Sequence, residues 1–89
     1  EGLPKLCMVK DKLPRADEPW EVSVPRLRAA FPDHAVDVAD GLRLTRDEEW
    51  VHIRPSGTEP VVRVIAESPR EPRTRELIER SRRALQLAS

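Results

Sequence analysis

The residues best suited to chemistry are concentrated in the segment Arg54-Pro-Ser-Gly-Thr-Glu-Pro60. Arg54 carries a planar fork of N–H groups that can bind a phosphate through two hydrogen bonds. Ser56 and Thr58 add hydroxyl groups, and Gly57 lacks a Cβ, so it can take a positive φ that lets successive backbone N–H groups converge on one oxyanion. These residue types predict a binding site for a phosphate dianion. The alternative is an ordinary turn between two strands, which is enriched in the same residues.

Charged and polar residues near this segment also need an interpretation. Arg63 lies nine residues after Arg54, so a returning strand could bring it to the same phosphate. A structural ion pair of Arg63 with Glu67 or Glu59 is the alternative. His52 has no second His or Cys nearby with which to hold a metal ion. It is therefore expected to be a structural residue of a sheet, and no metal site is expected.

Local patterns predict where the first and last elements lie. Residues 3–10 alternate imperfectly and predict a strand, whereas residues 12–20 contain two prolines and no periodicity and predict a loop. A helix is expected to begin at Ser23, whose hydroxyl can cap it, with Pro25 in the first turn. Beyond Arg70, apolar residues recur at helical spacing and predict a second helix.

Between the two helices the apolar residues recur at every second position, which is typical of strands. Residues 42–45 and 50–54 flank a charged stretch of the length that closes a hairpin. Residues 61–67 predict a last strand, whereas Asp40-Gly41 is either a hairpin turn or a kink in one long strand. We therefore expect an α+β fold in which an antiparallel sheet of about four strands carries two helices on one face.

The composition bounds the size and the environment of the chain. Its 89 residues, 38% of them hydrophobic, suffice for a single small domain, and the first residue is Glu1 rather than Met, as in a piece excised from a larger protein. No apolar run approaches the roughly 18 residues of a membrane span, so no membrane partner is expected. The single cysteine, Cys7, fits a reducing compartment, and a cytoplasmic location is expected.

The charge pattern argues against nucleic acid as a partner. Sixteen basic and sixteen acidic residues give a formal net charge of +0, so no global field attracts a polyanion. Residues 70–83 carry six arginines and three glutamates, but the chain has no Tyr and one Phe, so it lacks the aromatic side chains on which bases stack. The alternating charges instead predict a solvated helix face.

The segment Arg54-Pro-Ser-Gly-Thr-Glu-Pro60, with Asp40-Gly-Leu before it and Val-Val-Arg-Val-Ile-Ala-Glu67 after it, resembles the C-terminal domain of the α-D-phosphohexomutases. This is the family of phosphoglucomutase, phosphomannomutase and phosphoglucosamine mutase, and the likeness covers nearly the whole chain. It implies a fold related to the TATA-binding protein. By position, it implies that the phosphate of the sugar that is not being transferred is bound by Arg54, Ser56, Gly57 and Thr58, with Arg63 as a further candidate.

The resemblance also implies what the rest of such an enzyme supplies. Reversible intramolecular phosphoryl transfer uses a phosphoserine and a Mg²⁺ held by aspartates, both in domains outside this chain. No catalytic residue is therefore expected here, and the chain alone is expected to be inactive. Its expected partners are a hexose phosphate or bisphosphate and the other domains of the same protein. A phosphomannomutase/phosphoglucomutase is slightly preferred over a phosphoglucosamine mutase, and a non-catalytic anion-binding or interaction module is the alternative.

Overall fold

Five strands and two helices make up the part of the chain that the computed structural model describes, residues 6–14 and 18–86. The elements are β1 (Cys7–Pro14), α1 (Trp20–Ala30), β2 (Ala35–Asp37), β3 (Leu42–Arg46), β4 (Glu49–Pro55), β5 (Val61–Ser68) and α2 (Glu71–Gln86). The strands form one antiparallel sheet in the order β1-β5-β4-β3-β2. This confirms the expected α+β class, with one strand more than the four anticipated.

The core lies between one face of the sheet and the two helices. Along β5, Val62, Val64 and Ala66 are fully buried while Arg63 between them is exposed, which is the period of two expected for a strand with one covered face. Helix α2 packs on β1, β4 and β5, and α1 packs against α2. Full burial of each large apolar side chain stabilises the fold by about 1.5–3 kcal/mol. The opposite face of the sheet, here called the open face, carries no helix among the described residues.

The first strand differs from its prediction. The start of the predicted strand, residues 3–5, lies outside the described part of the chain, and β1 continues to Pro14 through positions predicted to be loop. The reason is its pairing with β5, in which Lys12 lies opposite Arg63 and Leu13 opposite Val62. Leu13 is fully buried by this pairing. Because β5 is distant in sequence, the charged, proline-containing end of β1 has no local pattern that predicts this pairing.

The predicted start of the first helix is wrong. Helix α1 begins at Trp20, its N-cap position is Pro19, and Ser23 lies inside the helix with Pro25 beyond the first turn. The Ser23 hydroxyl donates to Glu18 Oε2 at 2.6 Å instead of capping the helix. The Glu18 carboxylate also accepts hydrogen bonds from Arg26, whose Nε donates to the Ala84 carbonyl of α2. The Glu18–Arg26 ion pair, which a hydrogen bond from Arg26 connects to α2, therefore stands in place of a side-chain cap at this end of the helix.

The two predicted turns of the central sheet are both hairpins. Val36 of β2 lies opposite Leu44 of β3, so Asp40-Gly41 belongs to a turn and not to a kink in one strand. The hairpin of β3 and β4 is confirmed, with Arg46 opposite Glu49. The turn between them has Asp47 at φ 53, a left-handed conformation that Asp tolerates better than most residues.

A partly buried cluster of Glu49, His34 and Arg73 joins β4, the segment before β2, and α2. Glu49 accepts two hydrogen bonds from Arg73, at 2.8 and 2.9 Å, and its Oε2 lies 2.6 Å from His34 Nε2. The Glu49 side chain is 13% exposed. The hydrogen bonds from Arg73 lower the pKa of Glu49 from its ordinary value.

This lowered pKa predicts that part of the stability is lost in acid. A carboxyl group with a lower pKa in the folded state stabilises the fold above its unfolded pKa of about 4.3, and this contribution is lost as pH falls through the folded pKa. Glu49→Gln is expected to lower the free energy of unfolding at about pH 7, with a difference from wild type that shrinks towards about pH 3. Urea unfolding at both pH values measures this. The control is Glu71→Gln, at an exposed residue paired with Arg75, and an equal Glu49→Gln deficit at both pH values would contradict the expectation.

Candidate functional site

The loop rich in anion-binding groups connects β4 to β5. Arg54 and Pro55 are the last two residues of β4, so Arg54 is held in the sheet and only residues 56–60 form the loop. The Ser56 backbone N–H donates to the Val61 carbonyl at 2.9 Å and closes the loop at its base. The sheet therefore fixes the backbone of Arg54 and both ends of the loop.

Inside the loop, two backbone N–H groups converge on one oxygen. Ser56 Oγ accepts hydrogen bonds from the N–H of Thr58 at 3.3 Å and from the N–H of Glu59 at 3.2 Å. Since Ser56 Oγ acts as the acceptor in both bonds, its own hydroxyl hydrogen is available to donate to an anion. The Thr58 hydroxyl makes no hydrogen bond among the described residues.

Gly57 does not take the positive φ that its lack of a Cβ would allow. Among the described residues the glycine with a positive φ is Gly41, at φ 70, and a Cβ added at Gly57 would meet no atom within 4 Å. The loop therefore does not bring its N–H groups together through a left-handed glycine. The side chain of Ser56 does so, because its hydroxyl oxygen is within hydrogen-bond distance of both amides.

Three cations lie side by side across the open face of the sheet. Arg54 of β4 is the cross-strand partner of Arg63 of β5, which is in turn the partner of Lys12 of β1. Neighbouring strands are about 4.8 Å apart, and like charges directly opposite each other destabilise a sheet. Two members of this row, Lys12 and Arg63, line a shallow groove of about 620 Å³ together with Lys10, Asp11, Val64 and Ile65.

The structure does not contain the ion pair that was the alternative interpretation of Arg63. Its side chain makes no ion pair with any described residue. Glu67 accepts a hydrogen bond from Trp50 Nε1 at 2.9 Å, and Glu59 lies 3.7 Å from Lys12 Nζ. The returning strand places Arg63 opposite Arg54, and contact of Arg63 with a phosphate stays a prediction.

A turn between β2 and β3 lies against Arg54 from the other side. Asp40 Oδ1 lies 3.6 Å from Arg54 Nε, and His52 Nε2 lies 2.7 Å from the Asp40 carbonyl. A Cβ at Gly41 would be 2.6 Å from the Ile53 carbonyl oxygen and 3.3 Å from Arg54 Cα. His52 thus has the structural role that was predicted. The sequence indicates only a turn at Asp40, since nothing local connects this residue to a strand end fourteen residues later.

The remaining candidate features have structural explanations. On α2, arginines pair with glutamates one helical turn away, as in Arg73–Glu76, Arg75–Glu71 and Arg82–Glu79, which is the pattern of a solvated face.

Within residues 6–14 and 18–86, no three His, Cys, Asp or Glu side chains are grouped as metal ligands. In the same part of the chain, neither helix has the length and the apolarity that crossing a bilayer requires.

Comparison with known proteins identifies the family. Residues 9–84 match the phosphoglucomutase/phosphomannomutase C-terminal domain. A probable phosphoglucosamine mutase of Methanothermobacter thermautotrophicus is 34% identical over 88 residues, covering 92% of this chain and 20% of the relative. A probable phosphoglucosamine mutase of Methanopyrus kandleri is 50% identical over 52 residues, covering 58% of this chain and 11% of the relative.

A solved structure agrees with these sequence relatives. A phosphoglucomutase/phosphomannomutase family protein from Burkholderia thailandensis superposes with a TM-score of 0.66 at 28% identity, covering 98% of this chain and 19% of its own. The chain thus spans between about a tenth and a fifth of the length of these proteins. The sequence match over residues 9–84 and the shared fold show that the chain belongs to the phosphoglucomutase/phosphomannomutase family, as its C-terminal domain.

Proposed function

We propose that this domain binds the phosphate that is not being transferred when a phosphohexomutase moves a phosphoryl group between two positions of a sugar. The contacts are Arg54, Ser56, Gly57 and Thr58, with Arg63 as a further cation. The observation that supports this most directly is the placement of Arg63 beside Arg54 at the base of the loop. Two adjacent arginines without an intervening carboxylate are costly in a sheet unless an anion binds between or above them.

The chemistry required of these residues is binding and orientation. Arg54 supplies its N–H fork, Ser56 and Thr58 supply hydroxyl hydrogens, and Gly57 lets the ligand approach because it has no side chain. Each charge-assisted hydrogen bond contributes about 1.5–3 kcal/mol at best, and much less where water competes. The exposed site of the chain alone is therefore expected to bind phosphate with a Kd on the order of millimolar. Enclosure by other domains would strengthen the same contacts.

The bond-making groups are proposed to lie in other domains of a longer protein. There a Mg²⁺ would neutralise the charge that develops on the transferred phosphoryl group, and a serine would carry that group. The present chain would hold the far end of the sugar in register with those groups. On this proposal the chain alone has no mutase activity, the full protein is an isomerase of carbohydrate metabolism, and its location is cytoplasmic.

The proposal includes the class of sugar that carries the phosphate. The sequence alone slightly preferred a phosphomannomutase/phosphoglucomutase, but the relatives from both methanogens are named as probable phosphoglucosamine mutases. We therefore propose a hexosamine phosphate as the first substrate to test, followed by glucose and mannose phosphates. The second candidate function, a non-catalytic anion-binding module, would have the same loop in a protein without a serine phosphorylation loop or a cluster of metal-binding aspartates.

An NMR titration of the 89-residue chain tests the phosphate site. Addition of inorganic phosphate or glucosamine 6-phosphate is expected to shift the backbone amide signals of residues 54–61 first, because the anion donors are concentrated there. Arg54→Ala is expected to abolish most of the shift, whereas Arg75→Ala on the exposed face of α2 serves as the charge-matched control. Larger shifts along residues 70–83 than in the loop would contradict the assignment.

A further inference from the structure

The Arg54 guanidinium has one described ionic partner, the carboxylate of Asp40. Asp40 Oδ1 lies 3.6 Å from Arg54 Nε, and the two side chains are 68% and 61% exposed. The contact uses the Nε edge of the guanidinium. The guanidinium makes no hydrogen bond with any described residue. Its two Nη groups form one of the edges through which a guanidinium can bind a phosphate with two hydrogen bonds.

Two independent contacts hold Asp40 in this position. Its carbonyl lies 2.7 Å from His52 Nε2, on the strand that carries Arg54. The adjacent Gly41, at φ 70, packs so closely on β4 that an added Cβ would lie 2.6 Å from the Ile53 carbonyl. The carboxylate is therefore carried by a backbone that is fixed against β4, and the weak ion pair is not what places it.

Arg54 has a specific need for such a partner. A long, exposed arginine side chain samples many rotamers, and the cation opposite it, Arg63, repels it without defining a direction. A carboxylate fixed at the Nε edge favours those orientations of the Arg54 side chain in which its Nη edge is turned away from Asp40. Preorganising a donor in this way reduces the conformational entropy that is lost when the anion binds.

We propose that Asp40 is a positioning residue for the phosphate site, which holds Arg54 by its Nε edge and leaves the Nη edge for the anion, with His52 and Gly41 fixing Asp40. This inference rests on the proposed function and adds a residue to it. The opposing effect is electrostatic, because a carboxylate near the site also repels a phosphate dianion. The proposal requires that the orienting effect exceeds this repulsion.

Asp40→Asn tests which effect is larger, since it removes the charge while leaving the backbone contacts of Asp40 and Gly41 unchanged. We expect the Kd of the 89-residue chain for inorganic phosphate to rise about threefold, which corresponds to the loss of one exposed, oriented ion pair. Asp40→Glu is expected to recover part of the affinity. Asp33→Asn is the matched control, because Asp33 is an exposed aspartate 3.8 Å from another arginine, Arg46.

A double-mutant cycle separates positioning from a general charge effect. In an Arg54→Ala background, Asp40→Asn is expected to leave the phosphate Kd unchanged, because the residue that Asp40 orients is gone. The NMR signal of the Arg54 Nε–H group is expected to exchange faster with water in Asp40→Asn than in the wild type. Tighter phosphate binding in Asp40→Asn, or the same weakening with and without Arg54, would overturn the inference.

The outcomes also distinguish this inference from the function on which it rests. If Arg54→Ala leaves the phosphate Kd unchanged, the proposed phosphate site is wrong and the role of Asp40 falls with it. If Arg54→Ala weakens binding while Asp40→Asn has no effect or strengthens it, the site stands and the positioning role of Asp40 is wrong.

Discussion

Arg54→Ala is expected to lower kcat/KM of a mutase that contains this domain by about 30-fold to 1000-fold, corresponding to a loss of about 2–4 kcal/mol of transition-state stabilisation. The proposed site must hold whichever end of the sugar is not reacting, so it would serve both half-reactions. It would also help to retain the bisphosphate while that intermediate reorients. The variant is therefore expected to release more bisphosphate per turnover as well as to react more slowly.

Two further variants make this experiment specific. Arg54→Lys is expected to recover only part of kcat/KM, because a point charge cannot replace a planar fork of N–H groups. Arg75→Ala is expected to retain nearly wild-type kcat/KM, since Arg75 lies on the exposed face of α2 and pairs with Glu71. Wild-type kcat/KM and wild-type bisphosphate release in Arg54→Ala would show that the loop is an ordinary turn.

Gly41→Ala is expected to reduce the free energy of unfolding by about 2–4 kcal/mol. The left-handed conformation at φ 70 costs an alanine about 1 kcal/mol. In addition, its Cβ would lie 2.6 Å from the backbone carbonyl of Ile53, so the turn or β4 itself must move. Because the backbone of β4 also carries Arg54, phosphate binding is expected to weaken along with the stability of the fold.

Gly57→Ala is the matched control for this substitution. It makes the same chemical change at a glycine that has no positive φ and no atom within 4 Å of an added Cβ. Its effect on the free energy of unfolding is expected to stay within about 0.5 kcal/mol. Urea denaturation of both variants measures the difference. Equal losses in the two variants would contradict the role assigned to the Gly41 contact.

Local patterns in the sequence were sufficient for several elements of the fold. The alternating residues of β4 and β5, the charged turn between β3 and β4, and the amphipathic repeat of α2 each specify their own conformation within a few residues. The arginine, serine, glycine and threonine of the loop were likewise recognisable, because the residue types that bind phosphate are few and lie within five positions.

Contacts between residues distant in sequence decided what the local patterns could not. Ser23 has a hydroxyl that could cap a helix, but α1 starts three residues earlier, at Trp20. Glu18 pairs with Arg26, and Arg26 donates a further hydrogen bond to the Ala84 carbonyl of α2. The end of β1 looks like loop, and only its pairing with β5 makes it a strand. Local propensities are worth a few tenths of a kcal/mol, whereas burial of a single Leu13 side chain is worth about 1.5–3 kcal/mol.

In the candidate site, too, some features follow from residue type alone and others from contacts between residues distant in sequence. The sequence by itself determined the donor groups of the loop, since these depend only on residue type. The tertiary structure alone decided that Arg63 lies beside Arg54 and that Asp40 lies at the Nε edge of Arg54. The physical reason is that strand register and the close packing of a turn on a neighbouring strand join residues nine to fourteen positions apart, and no short-range pattern encodes such a distance.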